Sequence, residues 1–326
     1  MSKMTYAKAI TKVIAEEMRR DHRIFLMGED VAELGGVFGV TRGLIDEFGP
    51  ERIRNTPISE AGFVGAGVGA ALAGMKPIVE LMYMDFTYVA MDQILNQAAK
   101  IRYMYGGKAT MPLIIRGQQG IGRGNAATHS QSVEGIFMHI PGLKVAVPST
   151  PEDAAGLLRT SLRDNNPIMF FEHKALYGSK GEVPDDPDFT IPFGKAKVVK
   201  EGTDVTVIAT LLYVGKALNV ANKLEKEGIS VEVIDPRTLV PLDTETMVNS
   251  VKKTGRGIVV HEAHRNAGPG AEIASTLMEE AFKYLDAPVL RLGAKACPLP
   301  FALNLENAVV PQEEDIEKAI KAVLYK

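Results

Sequence analysis

The stretch Pro77-Ile-Val-Glu-Leu-Met82 decides the fold class, together with the run Pro112-Leu-Ile-Ile115 that follows it along the chain. Both are short and largely apolar, and a helical pattern occupies about 85–104 between them. Strands that are apolar on both faces and alternate with helices form mainly parallel sheets covered by helices on both sides. We therefore predict an α/β protein built from three-layer domains.

The alternation of apolar runs and helical patterns continues in both directions. Further runs typical of buried strands lie at 24–27, 143–147, 168–172, 205–209, 231–235, 257–261 and 288–292. Further helical patterns occupy about 60–74, 131–138, 151–164, 214–228, 243–253, 270–285 and 312–325. Residues 177–192 interrupt this alternation, because the segment is rich in glycine, proline and aspartate, as is typical of a linker. We predict a first domain at 1–180, a linker at 181–200 and a second domain at 201–326.

Composition and charge exclude several classes of function. Of the 326 residues, 46% are hydrophobic and 24% charged, and the formal net charge of −3 leaves no basic excess typical of nucleic-acid or anionic-membrane binding. The single cysteine, Cys297, excludes a disulfide framework and a zinc site built from cysteines. The longest weakly apolar stretch, 64–75, is too short to cross a bilayer, and the first residues lack a signal-peptide pattern. We expect a cytoplasmic protein with no nucleic-acid or membrane partner.

The glycine-rich segment Gly65-Ala-Gly67-Val-Gly69 has two interpretations. It resembles a dinucleotide-binding fingerprint, which would indicate a nicotinamide-dependent oxidoreductase, but that motif requires a strand leading directly into the glycine turn. Here the preceding residues are polar and are interrupted by Pro57. We favour a helix whose small residues allow another helix to approach closely, either within the chain or from another subunit. These small residues recur at helical spacing and are Gly62, Ala66, Gly69 and Ala73.

A second glycine-rich segment, 116–132, follows the strand predicted at 112–115. It lacks the Gly-Lys-Ser/Thr of a nucleotide P-loop, so it is either a ligand-binding loop at a strand end or a plain surface loop. His129 lies near its end, and an imidazole suits proton transfer near neutral pH. His129 is therefore a candidate for chemistry on a substrate.

Glu60 is the other candidate for chemistry. It stands where the small-residue helix begins, among the apolar residues Ile58, Ala61, Phe63 and Val64. A carboxyl group in such surroundings can donate a hydrogen bond to a ligand nitrogen. The alternative is a glutamate in the first turn that only complements the helix dipole.

Taken together, five ordered motifs identify a family. They are Thr56-Pro-Ile-Ser-Glu60-Ala-Gly-Phe63, Glu80-Leu-Met-Tyr-Met-Asp-Phe86, His129-Ser-Gln131, Arg163-Asp-Asn-Asn-Pro167 and Ile234-Asp-Pro-Arg-Thr-Leu-Val-Pro241. With these motifs the chain resembles, over nearly its whole length, the β subunit of the thiamine-diphosphate-dependent decarboxylating component of 2-oxo acid dehydrogenase complexes. The resemblance implies an oxidoreductase that decarboxylates pyruvate, or cleaves acetoin, and transfers the acyl group to lipoyl-lysine. The alternatives are a branched-chain 2-oxo acid dehydrogenase β subunit and a non-catalytic scaffold subunit.

The resemblance also implies roles for individual residues. Glu60 would hydrogen-bond the aminopyrimidine ring of thiamine diphosphate and help to activate it. Phe86 would stack on that ring, and Ile58 and Met82 would contact the same cofactor. His129 would assist proton transfer as the acyl group passes to the lipoyl group. The cofactor would supply the carbanion chemistry, and the protein would supply orientation and proton control.

Metal ions and partners follow from the same resemblance. A potassium site would be formed by backbone carbonyls near Leu113, Ser161, Asp164 and Asn166. The family's magnesium-binding Gly-Asp-Gly segment does not occur in this sequence. Magnesium and the diphosphate would therefore be held by an α subunit, with two α and two β chains in the assembly and a lipoyl acyltransferase core as a further partner. The two domains would be a pyrimidine-type thiamine-diphosphate-binding domain and a transketolase C-terminal-type domain.

Overall fold

The computed structural model describes residues 1–325 and divides the chain into two compact units. The first unit comprises Met1–Gln119 and Phe137–Phe193, and the second comprises Gly120–Ile136 together with the chain from Gly194 onward. The second unit thus takes in a loop that lies within the predicted first domain, and it resumes inside the stretch predicted as a linker. The linker at 181–200 itself stays a prediction.

The first 193 residues alternate between strands and helices as predicted. The strands are β1 Ser2–Thr5, β2 Ile24–Gly28, β3 Ile53–Asn55, β4 Lys76–Leu81, β5 Ile114–Gln119, β6 Lys144–Ala146, β7 Ile168–His173 and β8 Lys180–Val183. The α-helices are α1 Tyr6–Arg20, α2 Leu44–Phe48, α3 Glu60–Leu72, α4 Ala99–Met104, α5 Glu134–Met138 and α6 Pro151–Leu162. The helical pattern at 85–104 proves to be a 3₁₀ turn at Met84–Tyr88, a π-helix at Gln93–Ala98 and then α4.

Six strands of the first unit pair in parallel, in the order β6-β7-β5-β4-β2-β3. The central strands β4, β5 and β7 are buried along almost their full length, which explains why β4 and β7 are largely apolar instead of alternating, whereas β5 carries the buried polar residues Arg116, Gln118 and Gln119. Strands β1 and β8 form a separate antiparallel pair, with Ser2 opposite Val183. The carboxyl ends of the parallel strands are where ligands bind in sheets of this kind.

The chain from Gly194 onward forms a second α/β sheet. The strands of this part of the chain are β9 Lys197–Lys200, β10 Val205–Ala209, β11 Val231–Asp235, β12 Thr238–Val240, β13 Gly257–His264 and β14 Leu290–Ala294, and all of them except β12 belong to this sheet. Its α-helices are α7 Leu212–Glu225, α8 Thr244–Thr254, α9 Pro269–Ala281, α10 Leu303–Val309 and α11 Glu313–Val323. The sheet order is β14-β13-β10-β11-β9, in which β9 pairs antiparallel with β11 and the other pairings are parallel.

Consecutive residues of β10 show the three layers of this second unit. Val207 belongs to a buried cluster that contains Tyr213 of α7 and Ile316 of α11, whereas Ile208 belongs to a cluster that contains Met247 of α8. Successive side chains of a strand point to opposite faces, so different helices pack on the two faces of the sheet. None of the helices in residues 1–325 combines the length and the apolar character needed to cross a membrane.

Helix α3 contains all three glycines of the segment Gly65–Gly69, as the preferred interpretation predicted. Gly67 faces strand β4, where an added Cβ would lie 2.7 Å from Cγ2 of Val79. A side chain at that position would push the helix off the sheet. The small residues predicted to share one face of this helix are exposed; they are Gly62, Ala66, Gly69 and Ala73.

Candidate active site

Glu60 is the first residue of α3, and the chain reaches it from β3 through a short turn. The residue is buried, with 6% of its surface exposed. Ile58, which precedes the helix, is 82% exposed. The dipole of a helix favours a carboxylate in its first turn. The site therefore offers a buried carboxyl group and, two residues before it, a largely exposed apolar side chain.

Glu29 is a second carboxyl group of this region, and the sequence analysis did not single it out. It follows the carboxyl end of β2, is buried, and its Oε1 has no hydrogen-bond partner within residues 1–325. Burial raises the pKa of Glu29 to about 6, and the negative charge of Glu60 adds to the effect. The signal in the sequence was an acidic residue directly after a buried parallel strand.

Replacing Glu29 by glutamine is expected to change how stability depends on pH. Because the pKa of Glu29 is raised from 4.5 to about 6, the folded protein binds more protons than the unfolded chain in this window, and its stability falls as the pH rises through it. We expect Glu29→Gln to remove about 1 kcal/mol of that fall, since the group is partly screened by water. Urea unfolding at pH 4.5 and pH 7.5 measures the difference. An identical pH dependence in the variant and the parent would contradict this assignment.

Met82 directly follows strand β4, and Phe86 lies in the 3₁₀ turn after it. The backbone carbonyl of Met82 accepts a hydrogen bond from the side-chain amide of Gln118 on the neighbouring strand β5. Phe86 is half-buried in the 3₁₀ turn, and its ring meets that of Tyr83 edge to face with centroids 6.1 Å apart. Both residues predicted to contact the cofactor are thus held by neighbouring side chains at the carboxyl end of the sheet.

A buried ion-pair network spans strands β4, β5 and β7. The guanidinium of Arg116 donates two hydrogen bonds of 2.6 Å to the carboxylate of Glu172 and also contacts the carboxylate of Glu80. The hydroxyl of Tyr177 lies 2.8 Å from Glu172 Oε2 and 3.2 Å from Gln118 Oε1. Because Gln118 also holds the carbonyl that follows β4, the network is connected to the residues predicted to contact the cofactor.

His129 lies in loop 120–136, which is part of the second unit. Its backbone N–H donates to the carbonyl of Ala126 at 3.4 Å, and its Nδ1 lies 2.8 Å from the hydroxyl oxygen of Thr128. The direction of this second hydrogen bond depends on the tautomer, because a hydroxyl can donate or accept, so Thr128 orients the ring without fixing which nitrogen carries the proton. The first unit contains the residues predicted to contact the cofactor, which are Ile58, Glu60, Met82 and Phe86.

The residues predicted to bind potassium surround the turn between α6 and β7. The carbonyl of Leu113 accepts a backbone N–H at 2.9 Å, and that of Ser161 accepts the N–H of Asp164 at 3.2 Å. Each carbonyl has two lone pairs and so retains capacity for a further partner. The carboxylate of Asp164 binds the ammonium of Lys144 and the side-chain amide of Asn166. Potassium binding remains a prediction, and residues 1–325 contain no group of three or more His, Cys, Asp or Glu side chains arranged for a metal ion.

Comparison with known proteins gives the chain a family. The family described as "Transketolase, pyrimidine binding domain" matches residues 2–180, and that described as "Transketolase, C-terminal domain" matches residues 194–316. A Rickettsia felis protein named "Pyruvate dehydrogenase E1 component subunit beta" is 48% identical over 322 residues, which cover 99% of this chain and 98% of that protein. The chain belongs to the family of pyruvate dehydrogenase E1 β subunits.

Other E1 β relatives extend the comparison beyond one genus. A Rhizobium meliloti protein of the same name is 46% identical over 326 residues, which cover 100% of this chain and 71% of that protein. The "Pyruvate dehydrogenase E1 component subunit beta-1, mitochondrial" of Arabidopsis thaliana is 45% identical over 326 residues, covering 99% of this chain and 90% of that protein. These names confirm the resemblance and support the pyruvate-type interpretation over the branched-chain alternative.

A solved structure shares the fold of this E1 β chain. It is named "Split gene transketolase, inactive beta4 tetramer" and superimposes with a TM-score of 0.81 at 24% identity, covering 99% of this chain and 98% of that one. Identity this low shows the fold alone. Together with the two family matches, it confirms the predicted α/β fold of a pyrimidine-type domain followed by a transketolase C-terminal-type domain.

Proposed function

We propose that this E1 β chain takes part in the oxidative decarboxylation of pyruvate and in the transfer of the acetyl group to a lipoyl group. Its family makes it part of an oxidoreductase that acts on 2-oxo acids. In the overall reaction the bond between the carboxylate carbon and the carbonyl carbon breaks, and carbon dioxide leaves. A bond forms between the carbonyl carbon and one lipoyl sulfur, so that carbon is oxidised. The lipoyl disulfide is reduced, and its second sulfur takes up a proton.

The observation that carries the proposal is the buried carboxyl group of Glu60 at the start of α3. Its surroundings fit the aminopyrimidine ring of thiamine diphosphate. Two buried oxygens, Oε1 of Glu29 and Oγ1 of Thr56, have no hydrogen-bond partner within residues 1–325. Ile58 exposes apolar surface two residues before the helix. A nitrogen-containing ring with apolar faces needs both polar and apolar partners.

The residues of the first unit would orient the cofactor and control a proton. Thiamine diphosphate, when bound, supplies the nucleophilic carbon that attacks the substrate carbonyl. Glu60 would hold a proton on its carboxyl oxygen and share it with a ring nitrogen, which is general acid–base assistance by a positioned side chain. Phe86, whose ring is fixed by Tyr83, would stack on the aminopyrimidine, and Met82 would contact it from the end of β4.

His129 would serve the later transfer of the acyl group. The second lipoyl sulfur must gain a proton as the disulfide is reduced, and an imidazole is suited to deliver it near neutral pH. The hydroxyl of Thr128 lies 2.8 Å from Nδ1 of this ring and so orients the imidazole for the step. An oriented ring favours transfer because no reorientation is needed when the substrate arrives.

The remaining assignments concern partners and metal ions. An E1 β subunit implies an α subunit as partner. We propose two α and two β chains, with magnesium and the diphosphate bound by α, a lipoyl acyltransferase core as further partner, and potassium at the turn after α6. The exposed small residues on α3 support close contact with another subunit. A cytoplasmic location remains part of this proposal.

The purified chain by itself is expected to bind thiamine diphosphate and magnesium weakly and to show no turnover. The reason is that the proposed site for the metal and the diphosphate lies on the α subunit. Calorimetric titration of the chain alone, and of the chain mixed with its α subunit, measures the difference. We expect saturable binding and lipoyl-dependent pyruvate oxidation in the mixture only. Tight binding with turnover by the chain alone would overturn the proposed division of the site.

A further inference from the structure

One buried carboxylate joins the two sides of the loop that carries His129. Glu262 lies in β13 and is buried. Its Oε1 accepts the backbone N–H of Ile121 at 2.8 Å and the hydroxyl of Ser132 at 3.0 Å. These two donors stand before and after His129 in the sequence. The carboxylate oxygen therefore fixes the span of the loop at its base.

A second buried carboxylate holds the next residue of the same loop. Glu306 of α10 has no exposed surface, and its Oε2 accepts the backbone N–H of Gly122 at 3.1 Å. Its Oε1 has no hydrogen-bond partner within residues 1–325. The N–H groups of consecutive loop residues thus bind carboxylates from two different elements. Such charge-assisted hydrogen bonds are roughly twice as strong as neutral ones.

The loop needs strong hydrogen bonds of this kind because it is rich in glycine. Gly120, Gly122 and Gly124 all have positive φ, at 90°, 110° and 60°. Glycine loses more conformational freedom on folding than any other residue, so a loop rich in glycine is costly to order. Burying a carboxylate is itself unfavourable unless it is well hydrogen-bonded. Two carboxylates buried against one loop therefore indicate that the geometry of the loop is what they maintain.

We propose that Glu262 and Glu306 are positioning residues that hold His129 where it meets the lipoyl group. Both belong to the second unit, as does the loop that carries His129. Neither residue is assigned contact with substrate, since both act through the loop. The proposal rests on the proposed function, because it takes its meaning from the role of His129 in acyl transfer.

The test uses the assembled α–β enzyme with pyruvate and compares two assays. One assay follows acyl transfer to a lipoylated domain, and the other follows decarboxylation with a dye as electron acceptor. We expect Glu262→Ala to lower kcat for acyl transfer by about tenfold to a hundredfold, since small misplacements of a reacting group cost this much, and to change the dye-linked rate by less than about twofold. Glu262→Gln retains an acceptor oxygen for both donors and should recover most of the rate.

A matched control separates positioning from general stability. Glu232 is a buried carboxylate of the same unit that also accepts one backbone N–H, from Gly202 at 3.1 Å, and one serine hydroxyl, from Ser250, and it forms an ion pair with Lys253 in addition. These partners all lie outside loop 120–136, so Glu232→Ala should destabilise the protein without a selective loss of acyl transfer. Should Glu262→Ala fail to assemble, Ser132→Ala removes one of the same two contacts, and the same selective loss is expected to a smaller extent.

A double-mutant cycle decides the mechanism. If Glu262 acts through His129, Glu262→Ala changes the residual acyl-transfer rate of the His129→Ala enzyme by less than about twofold. Equal losses in the two backgrounds would overturn the positioning role. Normal acyl transfer in Glu262→Ala, while His129→Ala is impaired, would overturn this inference and leave the proposed function intact. Normal acyl transfer in His129→Ala would instead overturn the proposed role of His129.

Discussion

Glu60→Gln is expected to lower the rate of pyruvate oxidation by the α–β enzyme by about 10²–10⁴-fold, the usual worth of a positioned acid–base group. Glutamine has nearly the same shape as glutamate, so it preserves the start of α3 and the packing around it. Its amide cannot give up or take up a proton at neutral pH. The loss should therefore fall on the chemical step, while the α–β assembly and its unfolding midpoint stay close to those of the parent.

The direct measurement is the rate of proton exchange at the thiazolium carbon of thiamine diphosphate in the α–β assembly, followed by NMR. We expect Glu60→Gln to slow this exchange in proportion to the loss of turnover. Glu51→Gln is the control, because Glu51 is an exposed glutamate in the same unit whose carboxylate pairs with Arg54. Exchange at the parent rate in Glu60→Gln would show that another group performs the proton transfer.

The sequence predicted the strands and helices that local hydrophobic patterns determine. Runs such as 205–209 and 231–235 are apolar throughout, because both faces of their sheet are covered, and the structure has strands at the same residues. Short elements with polar sequences were missed. Strand β8 lies in the stretch with linker composition, and it exists because its backbone pairs with β1 about 180 residues earlier in the chain. Pairing over that distance leaves no local signal.

The candidate site shows the same division between local and non-local information. Glu60 and His129 were found because motifs surround them, and their roles remain proposals. Glu29 was missed because its property, a raised pKa, comes from burial and from the charge of a residue on another element. The membership of loop 120–136 in the second unit was equally hidden, since the carboxylates that bind it lie far along the chain.

Arg116→Met is expected to destabilise the first unit by about 3–5 kcal/mol, because it leaves the carboxylates of Glu80 and Glu172 buried without their cation. All three side chains are almost completely inaccessible. Burial raises the pKa of Glu80, and the guanidinium of Arg116 opposes that rise. Without the guanidinium the two carboxylates must either take up protons or draw water into the sheet. Both outcomes weaken the strands that hold the carbonyl of Met82.

Arg19 provides the matched control for this prediction. It also donates two hydrogen bonds to one glutamate, Glu47, at 2.5 and 2.7 Å, but its side chain is 56% exposed. Arg19→Met should therefore cost less than about 1 kcal/mol. Adding Glu80→Gln and Glu172→Gln to Arg116→Met should restore part of the lost stability, because it removes the stranded charges. Urea unfolding midpoints measure the series. Equal losses of stability for Arg116→Met and Arg19→Met would mean that water reaches the network. Only screening by solvent makes the loss of an ion pair cost so little free energy of unfolding.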